Sequence, residues 1–135
     1  MPPEFYKSKF QECTFEIVAK DLDPEKVSIL FRVEPDRVVR CGDKSAGRTL
    51  HAQGAWVVSS RSRVSTIKPD EHLGSIVTFA IEHKNEIEEL RKMIDVKIGI
   101  RFLWEFEDRT VVFGLERDAL SNLASIVDWI GFSIT

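Results

Sequence analysis

The chain has 135 residues and a formal net charge of −3; 43% of the residues are hydrophobic and 30% are charged. This length and composition fit one globular domain over residues 1–135, which can bury roughly two-thirds of its unfolded surface, and they exclude a disordered chain. No stretch approaches the ~20 apolar residues that span a bilayer, and the first residues lack the basic end and apolar run of a secretory signal. We therefore expect a cytoplasmic protein that makes no membrane contact.

The first part of the sequence predicts an extended arm, a strand and a helix. Residues 1–12 are polar with scattered Phe and predict the arm, whereas the side chains of residues 13–20 alternate as in a half-buried strand. A helix should follow Asp23, because Asp is a favoured N-cap and Pro24 suits the first helical position. Pro35 should end this helix, since the residue before a proline is pushed out of the helical region.

Two short strands come next, over residues 36–40 and 55–60, and the second places Trp56 and Val58 on one face. The connection between them is polar and interrupted by glycines, which predicts a long hairpin loop. A short additional strand near Thr49 is an alternative to a plain loop there.

The centre of the sequence predicts a helical region over residues 69–94 with a kink or a break near residues 83–85, where the apolar stripe is interrupted. Asp70 should cap the first segment. Asn85 and Glu88 fit a capping box that would open the second segment.

The last part predicts a hairpin, a helix and a final strand. The apolar side chains of residues 96–106 fall on one face, and residues 111–115 should pair back with them across a turn. A helix should begin near Asp118 and stop at Gly131 in a left-handed conformation, before a strand over residues 132–135. The residues of this helix expected to face inward are Leu120, Leu123, Ala124 and Val127.

The resulting element order is β-α-β-β-α(-α)-β-β-α-β, which indicates an α+β fold. Its beginning matches a split β-α-β arrangement, so that the fold is partly ferredoxin-like. A mainly antiparallel sheet with its helices on one face would cover the apolar stripes of the helices.

The sequence contains none of the common catalytic or metal-binding motifs. It has no phosphate-binding glycine loop, no paired-histidine metalloprotease motif and no Gly-x-Ser-x-Gly motif. His72 and His83 lie about 16 Å apart on an ideal helix, too far to share one metal ion. Cys13 and Cys41 match no metal or redox spacing and are expected to be reduced thiols. We therefore predict no catalytic residue, metal or cofactor.

The segment from Arg37 to Lys68 carries seven Lys and Arg residues against one Asp. Arginine side chains bind carboxylates and phosphates through two hydrogen bonds, and the alternative is that they pair with the protein's own acids. The candidate binding residues are Arg37, Arg40, Trp56, Arg61 and Arg63. A nucleic-acid partner is not expected, because the positive charge is local and few aromatic residues accompany it.

The order of several short motifs resembles the bacterial family of domains of unknown function DUF4279. These motifs are "FEIVAKDLDPEKVSILFRVEPDRVVRCGD", "GAWVVSS" and "EHL", and the resemblance extends from Phe15 to Ile134. It implies a compact α+β domain with no established activity or cofactor, and small domains of this kind often accompany toxins as immunity proteins. Asp36 departs from the family pattern, which more often has a hydroxyl residue there. Trp56 is either a core aromatic or a ligand platform.

These observations favour a non-catalytic protein-binding module, by analogy an immunity protein that blocks a partner's active site. One alternative is a sensor or carrier of a small anionic ligand that uses the basic residues. A second alternative is an enzyme of unrecognised type. The sequence gives no indication of oligomeric state.

Overall fold

A computed structural model describes residues 9–42, 53–66, 68–105 and 117–134. Its strands are β1 (Lys9–Ala19), β2 (Arg37–Val39), β3 (Gly54–Ser59), β4 (Lys97–Glu105) and β5 (Trp129–Ile134). Its α-helices are α1 (Pro24–Phe31), α2 (Pro69–Glu82), α3 (Lys84–Met93) and α4 (Arg117–Ala124), and a short 3-10 turn covers Ser60–Ser62. Within these ranges, every helix is too short or too polar to cross a membrane.

The strands form one sheet in the order β2-β3-β1-β4-β5. The pairs β2–β3, β3–β1 and β1–β4 are antiparallel, whereas β4 and β5 are parallel. The first four strands have the order of a ferredoxin-like sheet, with β3 between β1 and β2, and β5 is added at the β4 edge. The predicted α+β class and the mainly antiparallel sheet are confirmed.

The hydrophobic core lies on one face of the sheet, which we call the helix face. Successive side chains of a strand point to opposite faces, so the alternate residues of β1, β3 and β4 supply the sheet's half of the core. The core residues of the three strands are Cys13, Phe15, Ile17, Ala19, Trp56, Val58, Ile98, Ile100 and Phe102. All four helices contribute buried side chains to the same cluster, for example Phe31, Phe79, Leu90 and Leu123.

Helix α1 begins as predicted but ends earlier. The side chain of Asp23 accepts a hydrogen bond from the backbone N–H of Glu25 at 3.2 Å, and Pro24 occupies the first helical position. The helix ends at Phe31 because Arg32 adopts a left-handed conformation with φ 57°. The prediction that Pro35 ends this helix was therefore wrong.

The break in the central helical region is confirmed, but its predicted caps are wrong. Helices α2 and α3 meet at His83, which ends the first and precedes the second. The residue before α2 is Lys68, and Asp70 lies in the first turn, where its charge favours the positive end of the helix dipole. Helix α3 begins at Lys84, so Asn85 lies within the helix and does not cap it.

The last helix and strand differ most from the prediction. Gly131 does not end a helix, because it lies inside β5 and pairs with Arg101 of β4. Leu120 and Ala124 of α4 are exposed, whereas Leu123 is buried as expected. The loop at 43–52 with its alternative strand near Thr49, and the predicted strand at 111–115, lie outside the described residues.

The N-terminal boundary of the sheet also differs from the prediction. Strand β1 begins at Lys9, which pairs with Glu105, so residues 9–12 belong to the sheet and not to a separate arm. The remainder of the predicted arm, residues 1–8, lies outside the described residues.

Candidate functional site

The second face of the sheet carries polar and small side chains, and we call it the polar face. By strand register it consists of Glu12, Thr14, Glu16 and Val18 of β1, Arg37 and Val39 of β2, Ala55, Val57 and Ser59 of β3, Lys97, Gly99, Arg101 and Leu103 of β4, and Trp129, Gly131 and Ser133 of β5. The described helices place their buried side chains in the core on the opposite face. The polar face is therefore the side of the sheet that these helices leave uncovered.

One ion pair joins the β1 and β2 strands across the polar face. Arg37 Nη2 donates to Glu12 Oε1 at 2.5 Å, and the hydroxyl of Ser59 donates to Glu12 Oε2 at 2.7 Å. The Glu12 side chain is only 6% exposed, whereas that of Arg37 is 53% exposed. Burial raises the pKa of Glu12, but the hydrogen bonds from Arg37 and Ser59 and the nearby charges of Arg37 and Arg61 outweigh it. The pKa of this carboxyl consequently lies below its usual value of 4.5.

A second ion pair joins β1 to β4 and β5. Arg101 Nε donates to Glu16 Oε2 at 3.0 Å, and Arg101 Nη1 donates to the hydroxyl of Ser133 at 3.0 Å. The hydroxyl of Thr14 donates to the same oxygen of Glu16 at 2.7 Å. Each carboxylate of the polar face is thus held by one guanidinium and one hydroxyl.

The aromatic ring of Trp129 lies over Gly99 of β4 and close to Gly131 of β5. A Cβ atom added to Gly99 would overlap with the indole, and one added to Gly131 would lie 3.2 Å from Trp129 Cζ3. The guanidinium carbon of Arg101 lies 5.0 Å from the centroid of the Trp129 ring, within cation–π range. Gly99 is therefore required by the close approach of the ring, whereas at Gly131 a side chain would be tight and the ring would have to shift by a few tenths of an ångström.

The polar face contains a shallow depression of about 450 Å³. Its floor includes the apolar side chains of Val18, Val39 and Ala55, and Glu16, Arg37 and Arg101 also line it. A second depression of about 370 Å³ shares Val18 and Gln53 with the first and continues toward Lys97. The two depressions adjoin at these shared residues, and the second is lined by both basic and acidic side chains, namely Lys20, Lys97, Asp21 and Asp95.

The structure separates the basic residues that the sequence analysis grouped. Arg37 and Arg61 both act on Glu12, the first by a hydrogen bond and the second by its charge. Arg40 instead pairs with Glu25 of α1; its Nη1 lies 3.0 Å from Glu25 Oε2.

Glu25, the partner of Arg40, is held in its charged form. The hydrogen bond from Arg40 lowers the pKa of Glu25 to about 2. Arg40 therefore contacts helix α1.

Arg63 lies beside the aromatic side chains of the helix face. Its guanidinium carbon lies 4.8 Å from the centroid of the Phe79 ring. Of the four arginines proposed to form one site, only Arg37 and Arg61 are brought together.

Trp56 lies on the helix face and not on the polar face. Its side chain is fully buried against Phe31, with ring centroids 5.2 Å apart, and its indole N–H donates to the hydroxyl of Ser28 at 3.0 Å. A buried ring whose donor is already used offers a ligand no surface, so the geometry fits the core interpretation of this residue.

Asp36 also has a structural contact. Its carboxylate accepts a hydrogen bond from the backbone N–H of Ser59 at 2.6 Å, which ties the start of β2 to the end of β3. This contact gives the acidic residue at this position a structural role.

A buried serine–histidine pair connects β1, the 3-10 turn and α2. His72 Nε2 lies 2.6 Å from the carbonyl oxygen of Thr66, which can only accept, so Nε2 donates and Nδ1 accepts from the Ser60 hydroxyl at 2.5 Å. Ser60 Oγ also accepts from the backbone N–H of Cys13 at 2.9 Å. Ser60 is fully buried and His72 is 3% exposed, so the pair satisfies backbone groups in the core and is inaccessible to a substrate.

The two cysteines are free thiols in different environments. Cys41 is exposed, whereas Cys13 is buried in the core. Burial, with smaller contributions from Glu12 and Glu16, raises the pKa of the Cys13 thiol well above its usual range, which keeps it protonated and unreactive. No group of three or more His, Cys, Asp or Glu side chains within the described ranges is placed to hold a metal ion.

The sequence analysis missed Glu12, Glu16, Arg101 and Trp129. A signal for two of them is present in the alternation of β4 and β5, where the positions between the apolar ones read Lys97, Gly99, Arg101 and then Trp129, Gly131, Ser133. In β5 a tryptophan alternates with a glycine, and in the neighbouring β4 a glycine alternates with an arginine. This pattern indicates an aromatic ring that lies against the backbone of the neighbouring strand. Glu12 carries no such signal, because its partner lies 25 residues away.

Comparison with known proteins identifies a family but no characterised relative. Residues 7–134 match the family described as "Domain of unknown function (DUF4279)", which covers nearly the whole chain. No curated protein and no solved structure gives a significant match.

Proposed function

The chain belongs to the DUF4279 family, and from the geometry of its polar face we propose that it is a non-catalytic module that binds a protein partner on this face. The observation that carries the proposal is the depression of the polar face, whose lining combines the apolar side chains of Val18, Val39 and Ala55 with Arg37 and Arg101. We also propose a cytoplasmic location in a bacterial cell, in keeping with two free thiols.

The composition of the polar face supports a protein partner. Arg and Trp are enriched at the energetically dominant positions of protein interfaces, and this face presents Arg37, Arg101 and the partly buried Trp129 around apolar residues. The ion pairs hold both arginines in defined positions before any partner arrives. Such preorganisation lowers the entropy cost of binding.

The internal pairing of charges favours a protein over a free anion. Arg37 and Arg101 are each neutralised by a carboxylate. The depression therefore lacks the uncompensated positive charge that would bind a small anion. A protein partner would also bury the apolar floor of the depression, and each Å² of buried apolar surface contributes about 25 cal/mol to the free energy of binding.

Site-specific photo-crosslinking in the source cell tests this proposal. A photoreactive p-benzoylphenylalanine replaces Gln53, an exposed residue that lines both depressions, and in a matched variant it replaces Ile29, which is 75% exposed on α1. We expect one discrete protein adduct from position 53 and none from position 29. Adducts from position 29 alone, or from neither position, would contradict binding on the polar face.

A small carboxylated or phosphorylated ligand is the second candidate. The observation that favours it is the volume of the first depression, about 450 Å³, which lies in the range of small-molecule sites. Thermal unfolding in the presence of a panel of such metabolites tests it. A stabilising ligand should lose its effect in Arg37→Gln and keep it in Arg40→Gln, because Arg40 is bound to Glu25 away from the depression.

A further inference from the structure

Three apolar side chains of the polar face lie side by side in the first depression. By strand register, Val39 of β2, Ala55 of β3 and Val18 of β1 are direct cross-strand neighbours, so their Cβ atoms follow one another at about 5 Å. All three are partly exposed, and all line the depression of about 450 Å³. Ala55, which has the smallest side chain, lies between the two valines. Together these residues offer a continuous apolar surface to one apolar group of a partner.

Glu16 adds a free hydrogen-bond acceptor beside this apolar surface. It lies two residues from Val18 on the same side of β1, about 7 Å along the strand, and it lines the same depression. Its Oε2 accepts from Arg101 and Thr14, whereas its Oε1 accepts no hydrogen bond from the described residues. Oε1 is open to solvent, because His83 Nδ1 is the only side-chain nitrogen or oxygen of the described residues that is buried without a hydrogen-bond partner. The depression therefore combines an apolar surface with one accessible acceptor.

The charges around the depression are already balanced. Arg37 is paired with Glu12, and Arg101 is paired with Glu16. An anionic group would have to compete with these two carboxylates, and a cationic group would come close to two guanidinium groups. Either kind of charged group would also lose hydration without gaining an unpaired opposite charge. The group that fits the depression is therefore neutral, with an apolar body and a hydrogen-bond donor.

We propose that the depression binds a tyrosine side chain of the partner protein, with the ring on Val18, Val39 and Ala55 and the hydroxyl donating to Glu16 Oε1. This inference rests on the proposed function and adds the residue type that the partner contributes.

The chemistry of a phenol matches the depression in three respects. A phenol is neutral at pH 7, because its pKa is about 10. Its hydroxyl stands at the far end of the ring, so the ring can cover the apolar surface while the hydroxyl reaches the neighbouring carboxylate. A hydrogen bond from a hydroxyl to a carboxylate is charge-assisted and stronger than one between neutral groups. Tyrosine is also one of the residues that dominate the binding energy of protein interfaces.

Titrations of the full chain with blocked amino acids, monitored by amide chemical shifts, test the proposal. The probe is N-acetyl-tyrosinamide. In the first control, N-acetyl-phenylalaninamide, the hydroxyl is missing. The second control, N-acetyl-O-methyl-tyrosinamide, keeps the oxygen as an acceptor but lacks the hydrogen that it would donate. A third control, N-acetyl-tyrosine, has the same ring and hydroxyl with a free carboxylate, and it tests whether the depression prefers an anion.

We expect the probe to shift amide signals of β1, β2 and β3 around the depression. It should bind about fivefold more tightly than the phenylalanine and O-methyl compounds, as one additional hydrogen bond allows, and N-acetyl-tyrosine should bind no more tightly than the probe.

Three variants separate the carboxylate from the apolar surface. Glu16→Gln should reduce the preference for the probe to about twofold, because a neutral acceptor makes a weaker hydrogen bond, and should leave the phenylalanine compound unchanged. Glu25→Gln removes a carboxylate that is paired with Arg40 on α1 and should keep the full preference. Ala55→Leu should weaken all four compounds, because the larger side chain fills the depression. The same spectra show whether each variant is folded, and the comparison of the four compounds on the wild-type chain needs no variant.

The inference would be overturned by equal affinities for the tyrosine compound and either uncharged control, by absence of binding, or by shifts confined to the helices. An unchanged preference in folded Glu16→Gln would also contradict it. Tighter binding of N-acetyl-tyrosine would assign the depression to an anion instead. The two proposals fail in different ways. Crosslinks from position 53 without a preference for the tyrosine compound would leave the proposed function standing and remove only the tyrosine, whereas the preference without crosslinks would remove the protein partner.

Discussion

At Gly99, the packing of the polar face depends on the absence of a Cβ atom. The ring of Trp129 occupies the space that a Cβ atom at this position would need. Gly74 of α2 offers the opposite case, because an added Cβ there has no heavy atom within 4 Å. The same substitution should therefore have opposite effects at the two glycines.

We expect Gly99→Ala to lower the free energy of unfolding by about 1–3 kcal/mol, because the indole must move. Gly74→Ala should raise it by about 0.5–1 kcal/mol, since alanine restricts the unfolded chain and favours a helix. Urea unfolding measures the free energy of unfolding of both variants. The same measurement on Gly99→Ala in a Trp129→Ala background should show no loss of free energy of unfolding from the glycine substitution. An equal cost in that background would show that the ring is not its cause.

At the scale of elements, the contacts between strands and helices depend on polar groups as well as on the core. The Ser60 and His72 pair joins the 3-10 turn to α2 and satisfies the backbone N–H of Cys13 in β1. Removal of one member leaves buried groups without partners, which costs more than the hydrogen bond itself contributes.

Ser60→Ala is therefore expected to lower the free energy of unfolding by about 1–3 kcal/mol. The same substitution at Ser62, an exposed residue of the same turn, should cost less than about 0.5 kcal/mol. Chemical denaturation of both variants provides the comparison. Similar losses at the two serines would mean that the buried pair does not stabilise the junction.

For the whole molecule, carboxylates with lowered pKa values determine the response to acid. The pKa values of Glu12 and Glu25 lie below their usual 4.5. For Asp128, burial raises the pKa, but hydrogen bonds from the Ile98 N–H and from Arg91 outweigh it and leave the pKa below 3.8. Because the folded state binds fewer protons than the unfolded state in this range, the stabilisation is complete above about pH 5 and is lost as the pH falls toward about 2.

We expect the free energy of unfolding to decrease as the pH is lowered from 5 to 2, and to decrease less steeply in Glu12→Gln than in the wild type. At pH 7 this substitution should cost about 1–3 kcal/mol, since Arg37 and Ser59 lose a charged acceptor. Glu34→Gln, at an exposed position, controls for the loss of one negative charge. Urea unfolding at several pH values gives the curves, and parallel curves for Glu12→Gln and wild type would exclude this role of Glu12.

Several features of the fold were predictable because they depend on neighbouring residues. The alternation in β1 and β4 predicted which side chains enter the core, and the interrupted apolar stripe predicted the break between α2 and α3 at His83. The cap at Asp23 followed from the same short-range chemistry. Gly131 was misassigned for a related reason. A glycine after a helix usually ends it, whereas here the ring of Trp129 two residues earlier leaves little room for a side chain at a strand position.

The polar face was decided by the tertiary structure. Local patterns identified arginines at 37, 40, 61 and 63 as one basic segment, but they contain no information on which acid each would meet. Strand order decided that Arg37 reaches Glu12 across 25 positions and that Arg101 reaches Glu16 across 85, while Arg40 turns to Glu25. The sequence by itself determined the two faces of each strand, because side-chain alternation is local. Only the pairing of distant strands determined which charges share a face, because an ion pair depends on distance in space and not on separation along the chain.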